Sequence, residues 1–174
     1  MDREEMAISH ERISEKNKHE FVLPLPRHKE ATPKLPSGLV VSSDDEVRKT
    51  LAESLGECGL ESIFSSTVSE GRIAMTGRAV FLVFSEEWLP DGGSYLDIVN
   101  WIAGSGTWIP LVVVSRIGDW PEYLRAVASG AFDYVAYPPI RGELRRVIRN
   151  ALRSRHSNSE VPMSSEIRPG GQKT

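Results

Sequence analysis

Two uninterrupted apolar runs, Ala79–Phe84 and Ile109–Val114, constrain this chain more than any other feature of it. A strand with one wet face alternates apolar and polar residues. These runs do not alternate, so each reads as a strand covered on both sides, as in a parallel sheet with helices packed above and below. Leu39–Val41 is a shorter run of the same texture, Phe132–Val135 reads as the last strand, and Ser62–Ser65 is a fifth strand candidate. Helical spacing fills the intervals. Val47, Leu51, Leu55 and Cys58 fall four, four and three apart on one helical face, and Gly59 suits a left-handed cap after them. Thr67 to Thr76 reads as a short helix with a hydroxyl cap. Leu96, Val99 and Ile102 mark one side of the next. Asp119 caps a helix with Pro121 in its first turn, Leu124, Val127 and Ala128 as its inner face and Gly130 as its stop. Leu144, Val147, Ile148 and Ala151 give the last. Five strands alternating with five helices imply an α/β, doubly wound five-stranded parallel sheet, (βα)5, with right-handed crossovers. Chemistry in such a sheet belongs at the carboxyl ends of the strands.

The ends of the chain have another character. Residues 1–37 mix charges of both signs and then carry Pro24, Pro26, Pro33 and Pro36, which predicts a disordered arm with only a weak helix at Met6, Ile8 and Ile13. Residues 154–174, rich in Ser, Pro and Gly, read as a disordered tail, leaving 38–153 as one domain. The net charge of −3 offers no general attraction to nucleic acid or to an anionic membrane. The single cysteine, Cys58, excludes an internal disulfide and a cysteine zinc cluster, and fits a cytoplasmic setting. No apolar run approaches the roughly 18 residues a membrane span needs, and no secretory signal opens the chain. His10, His19, His28 and His156 all fall in the tails, so the domain shows no histidine-based metal or catalytic site.

The loops after the strands carry Ser42-Ser43-Asp44-Asp45, Ser85-Glu86-Glu87-Trp88-Leu89-Pro90, Ser115-Arg116 and Ala136-Tyr137-Pro138. With Asp91-Gly92-Gly93, Pro110 and the stretch Ser129-Gly130-Ala131-Phe132-Asp133-Tyr134, their order and spacing resemble the receiver domain of two-component response regulators, which has the flavodoxin-like fold. The resemblance covers Gly38 to Leu152. It implies four functional elements. An acidic pair after strand one helps to hold Mg²⁺, and a carboxylate on strand three accepts a phosphoryl group. A Ser or Thr after strand four binds a phosphoryl oxygen, and a lysine after strand five neutralises charge.

Residue by residue, this chain departs from that set. The acidic-pair positions are Ser42 and Ser43, and a register slip that brought in Asp44 or Asp45 for a metal would spoil the inward phase of Val47 and Leu51. The phosphoacceptor position, four before Pro90, is Glu86, one methylene longer than aspartate. The lysine position is Tyr137, a phenol that carries no charge near neutral pH. Ser115 alone is intact, and Tyr134 matches the switch aromatic that the resemblance pairs with it.

The expectation is therefore a pseudo-receiver. It is not an enzyme, needs no cofactor and acts in phosphorelay-type signalling by protein contact. Its expected partner is a histidine kinase or an output protein, since no output domain follows in the sequence. A homodimer through residues 119–153 is the related expectation, with no membrane or nucleic-acid partner. In one version Glu86 acts as a fixed negative charge that holds Ser115 and Tyr134 in an active-like arrangement. In the other, these residues only fill a drifted fold. The alternative is an atypical phospho-accepting regulator that uses Glu86 or a neighbouring carboxylate with Mg²⁺. A small nucleotide-binding enzyme fits poorly, because the loop after strand one lacks glycine and its acids repel phosphate. Trp88 is a candidate cover or partner contact. Arg141, Arg145, Arg146, Arg149, Arg153 and Arg155 make the last helix basic, which is either a docking face or a solvated one favoured near a helix C-terminus.

Overall fold

The computed structural model describes residues 36–159. The elements run β1 (Ser37–Val41), α1 (Asp45–Glu57), β2 (Glu61–Ser65), α2 (Val68–Met75), β3 (Val80–Glu86), α3 (Tyr95–Gly104), β4 (Leu111–Ser115), α4 (Trp120–Ala128), β5 (Asp133–Ala136) and α5 (Glu143–Ser159). The strands form one parallel sheet in the order β2-β1-β3-β4-β5, which is the flavodoxin-like arrangement expected from the alternating pattern.

Side chains on successive strand residues point to opposite faces, so each apolar run feeds two cores. Leu39, Val41, Val83 and Val113 pack with Ile98, Ile102 and Ala126 under α3 and α4. Val40, Leu82, Phe84, Val112 and Val114 pack with Val47, Leu51, Leu55, Leu144, Val147 and Ile148 under α1 and α5. Burying one such side chain contributes about 1.5–3 kcal/mol, so the two strips of α1 and α5 are ample to fix those helices.

Local signals set most boundaries. Asp44 caps α1 by accepting the Glu46 and Val47 N–H groups, and Thr67 and Asp119 cap α2 and α4 in the same way. In α3 the Asp97 carboxylate reaches back to the Ser94 N–H at 2.8 Å. Gly130 follows α4 with φ +106°, a left-handed conformation that other residues adopt only with strain.

Two helices are rotated from the expected phase. In α3 the buried residues are Tyr95, Ile98 and Ile102, and Leu96 faces outward. In α4 the inward residues are Ala126 and Tyr123, while Leu124 and Val127 remain 50% and 40% exposed. Tyr123 meets Tyr134 of β5 edge-on, and that ring contact turns the α4 aliphatic stripe toward solvent. The domain limits also differ from the sequence reading. Ser37 belongs to β1, and α5 continues past the expected end at 153 to Ser159. The expected disorder of residues 1–35 and 160–174, and the weak helix near Met6, lie outside the described residues. Among the described residues no helix is long and apolar enough to cross a membrane.

Candidate functional site

The parallel registers bring the five strand ends level. Val41 stands beside Ser65 and Ser85, Glu86 beside Val114, and Ser115 beside Ala136. Ser42, Glu86, Ser115 and Tyr137 therefore meet along one edge of the sheet. A cleft of about 190 Å³ opens there, lined by Glu86, Glu87, Trp88, Ser115, Arg116, Ile117 and Tyr137 over Val47 and Val114.

Glu86 and Glu87 diverge, because consecutive residues at a strand end point to opposite sides. Glu86 turns toward β1 and takes a hydrogen bond from the buried Ser42 hydroxyl. Ser42 Oγ also accepts the Asp44 N–H at 3.0 Å, closing the turn into α1. Glu87 turns toward β4, where the Ser115 hydroxyl donates to its Oε2 at 2.9 Å. Ser115 Oγ accepts the Ile117 N–H at 3.1 Å, and the Tyr134 hydroxyl donates to the Ile117 carbonyl at 2.7 Å. Tyr134 thus lies inward, and its burial pushes the phenol above its ordinary range. The carboxylate that meets Ser115 is consequently Glu87. Glu86, the one expected there from the sequence, is engaged with Ser42 instead.

Over this cleft lies a cation the sequence reading passed by. Arg116 forms an ion pair with Asp44 and places its guanidinium 5.1 Å from the Tyr137 ring centroid. Its hydrogen bond, followed by the Val47 N–H, holds the Asp44 carboxyl below the usual aspartate range. The same contact raises Arg116. Tyr137, at the lysine position, lies within 3.2 Å of the Thr50 hydroxyl, and the bond from Tyr137 to Pro138 is cis.

These donors do not fit Mg²⁺, which prefers several hard carboxylate or water oxygens in octahedral geometry. Ser42 is committed to Glu86, Ser43 is exposed, and Asp44 is shared between the α1 N-terminus and Arg116. Asp45, whose side chain is 97% exposed, faces solvent near Arg48 at 3.8 Å. Among the described residues no cluster of three His, Cys, Asp or Glu side chains has a metal-holding arrangement. Val47 and Leu51 are buried as the unslipped register requires.

The structure thus gathers Ser42, Glu86, Ser115, Tyr134 and Tyr137 at one place and leaves Ser43 and Asp45 outside it. Glu87, Arg116 and the Ile117 carbonyl are additions. Glu87 lies just past the end of β3, and no local signal assigns it to Ser115. No local signal pairs Arg116 with Asp44, seventy-two positions away. Trp88 borders the cleft with most of its surface exposed, and its backbone bridges to Ser94. Trp120, the first residue of α4, is 68% exposed.

A five-stranded parallel sheet in this order, with its cleft at the carboxyl ends of β3 and β4, has the flavodoxin-like fold that receiver domains share. No family model matches the chain. It is 30% identical over 130 residues to the response regulator protein PilR of Pseudomonas aeruginosa, covering 74% of this chain and 29% of that protein. It is 29% identical over 126 residues to the KDP operon transcriptional regulatory protein KdpE of Escherichia coli, covering 71% and 54%. A response regulator receiver domain from Clostridium thermocellum superposes with a TM-score of 0.62 at 23% identity, over 71% of this chain and 99% of that one. The homologues and structural neighbours of this domain are response regulator receiver domains, and the chain spans under a third to about half of the curated relatives it matches.

Proposed function

We propose that this receiver domain transmits its signal by protein contact, without accepting a phosphoryl group and without a cofactor. The observation that carries the reading is the Ser42–Glu86 hydrogen bond. At the acceptor position a glutamate is held by a hydroxyl, where the chemistry of phosphoryl transfer calls for carboxylates around a divalent cation. The cation at the cleft is already engaged. Arg116 faces Asp44, and the uncharged Tyr137 stands where a lysine would steady a transferring phosphoryl group.

Contact with a histidine kinase or an output protein is the proposed route of signalling. The exposed row Ile117, Trp120, Leu124 and Val127 on and before α4 supports it, since aromatic and aliphatic side chains left in water on one helix face mark interaction surfaces. Residues 119–153 include all of this row except Ile117 and are the proposed homodimer face. The basic side of α5 is the weaker candidate. Arg145 pairs with Glu57 of α1 at 3.0 Å, and Arg155 is turned back over the Phe81 ring at 4.0 Å.

The test is incubation of the full chain with acetyl phosphate and Mg²⁺, read by intact mass and by amide resonances on addition of beryllofluoride. No mass increase and no saturable shift at Glu86, Glu87 and Ser115 are expected. A stoichiometric phosphoryl adduct, with those resonances moving, would establish the alternative in which Glu86 or its neighbour accepts phosphate.

A further inference from the structure

The contacts at Ser115 continue out of the cleft as an unbroken line. The Ser115 hydroxyl lies 2.9 Å from Glu87 Oε2 and 3.2 Å from the Ile117 carbonyl oxygen. That carbonyl is also the acceptor for the Tyr134 hydroxyl at 2.7 Å. Tyr134 meets Tyr123 edge-on with ring centroids 6.4 Å apart, and Tyr123 is stacked on Trp120 at 5.1 Å. Trp120 is the first residue of α4 and lies on the exposed apolar face.

A serine hydroxyl has one proton to donate. Of its two acceptors here the carboxylate is the stronger, because hydrogen bonds to ionised groups are about twice as strong as neutral ones. Glu87 therefore draws the Ser115 proton and leaves the Ile117 carbonyl to Tyr134. The loop between β4 and α4 has little slack with which to adjust. A Cβ placed on Gly118 would fall 2.6 Å from the Ala136 Cβ, so the backbone there lies directly against β5.

We propose that Glu87 is a positioning residue. Its carboxylate orients the Ser115 hydroxyl and so holds the β4–α4 loop, Tyr134 and the Tyr123–Trp120 stack in the arrangement that α4 presents to a protein partner. This deepens the preceding reading and rests on it, since Glu87 has Ser115 to itself only where no phosphoryl group competes. Without the carboxylate, the Ser115 proton turns to the Ile117 carbonyl, whose two lone pairs then serve both hydroxyls, and that oxygen is drawn toward Ser115. The Tyr134 hydroxyl follows that oxygen, and the edge contact to Tyr123 shifts with it.

The experiment compares Glu87→Ala, Glu87→Gln, Ser115→Ala and the Glu87→Ala/Ser115→Ala double variant of the full chain by NMR. The probes are the Ile117 amide, the Tyr134 ring protons and the Trp120 indole N–H, with the Trp108 indole as a remote control. Glu87→Ala is expected to move all three probes and leave Trp108 in place. Glu87→Gln, which keeps a neutral oxygen acceptor in nearly the same volume, gives smaller shifts in the same direction and carries the test should the alanine variant fail to fold. The double variant adds nothing at Trp120 beyond Ser115→Ala alone, because both residues act through one line. Shifts confined to residues 86–89, with Tyr134 and Trp120 unmoved, overturn the proposal, as does a Trp120 response to Glu87→Ala that persists undiminished when Ser115 is already alanine. All of these spectra are taken without a phosphoryl donor. A phosphoryl adduct in the acetyl phosphate experiment therefore defeats the preceding reading separately and is not mistaken for failure of the Glu87 line.

Discussion

Asp44→Ala removes contacts of two kinds at once, and their sizes can be separated. Asp44 Oδ1 accepts the Glu46 N–H at 2.9 Å and the Val47 N–H at 3.1 Å, satisfying two of the donors that α1 leaves open at its start. Losing such a cap costs about 1 kcal/mol, within a range of about 0.5–2. The ion pair with Arg116 adds little to that, because the guanidinium is exposed and screened by solvent and salt. For a domain of this size the expected fall in Tm is about 3–5 °C. Asp44→Asn keeps an oxygen for the cap and loses only the charge, so its fall at neutral pH is expected to be about 1 °C. The pH dependence has a defined sign. Arg116 and the α1 N–H groups hold the folded carboxyl below its ordinary range. Its stabilising effect is therefore complete above the unfolded value and is lost as pH falls from about 4 through the lower folded value. The assay is thermal unfolding by circular dichroism at about pH 6 and at steps below about pH 4, read as the difference between wild type and Asp44→Asn. That difference is expected to close as the solution becomes acidic. An Asp44→Ala protein that melts with the wild type, or a gap to Asp44→Asn that widens in acid, would refute the assignment of Asp44 to the α1 cap and to Arg116.

Gly38→Ala places a methyl group 2.6 Å from Leu55 Cδ2 and 2.9 Å from Cδ1, and Leu55 is fully buried between α1 and the sheet. A loss of about 1–3 kcal/mol in urea unfolding is expected from the overpacking, and an unchanged midpoint would show that Leu55 has room to move. Leu124→Glu changes a half-exposed α4 residue and is expected to alter stability by less than about 0.5 kcal/mol. Sedimentation equilibrium should then show weaker self-association than in the wild type. A wild type that is monomeric at every concentration would remove the homodimer proposal.

The strands and helices were legible in the sequence because their signals are local. Ala79–Phe84 and Ile109–Val114 announce strands buried on both faces. The spacing of Val47, Leu51 and Leu55 sets the phase of α1, and Asp119 with Pro121 marks where α4 starts. The place of the site followed as well, since the carboxyl edge of a parallel sheet is fixed by topology, and Ser42, Glu86, Ser115 and Tyr137 do meet there. Local pattern did not reveal which groups face each other across that edge. Leu124 and Val127 have the spacing of an inner face, yet the Tyr123–Tyr134 ring contact turns them outward. Glu86 and Glu87 are chemically identical neighbours. Only the pairing of β3 between β1 and β4 gives the first to Ser42 and the second to Ser115. The periodicity of a segment records its own burial. The partner of a charged or hydroxyl group depends on the register of strands far apart in the chain, and that is decided only when the sheet assembles.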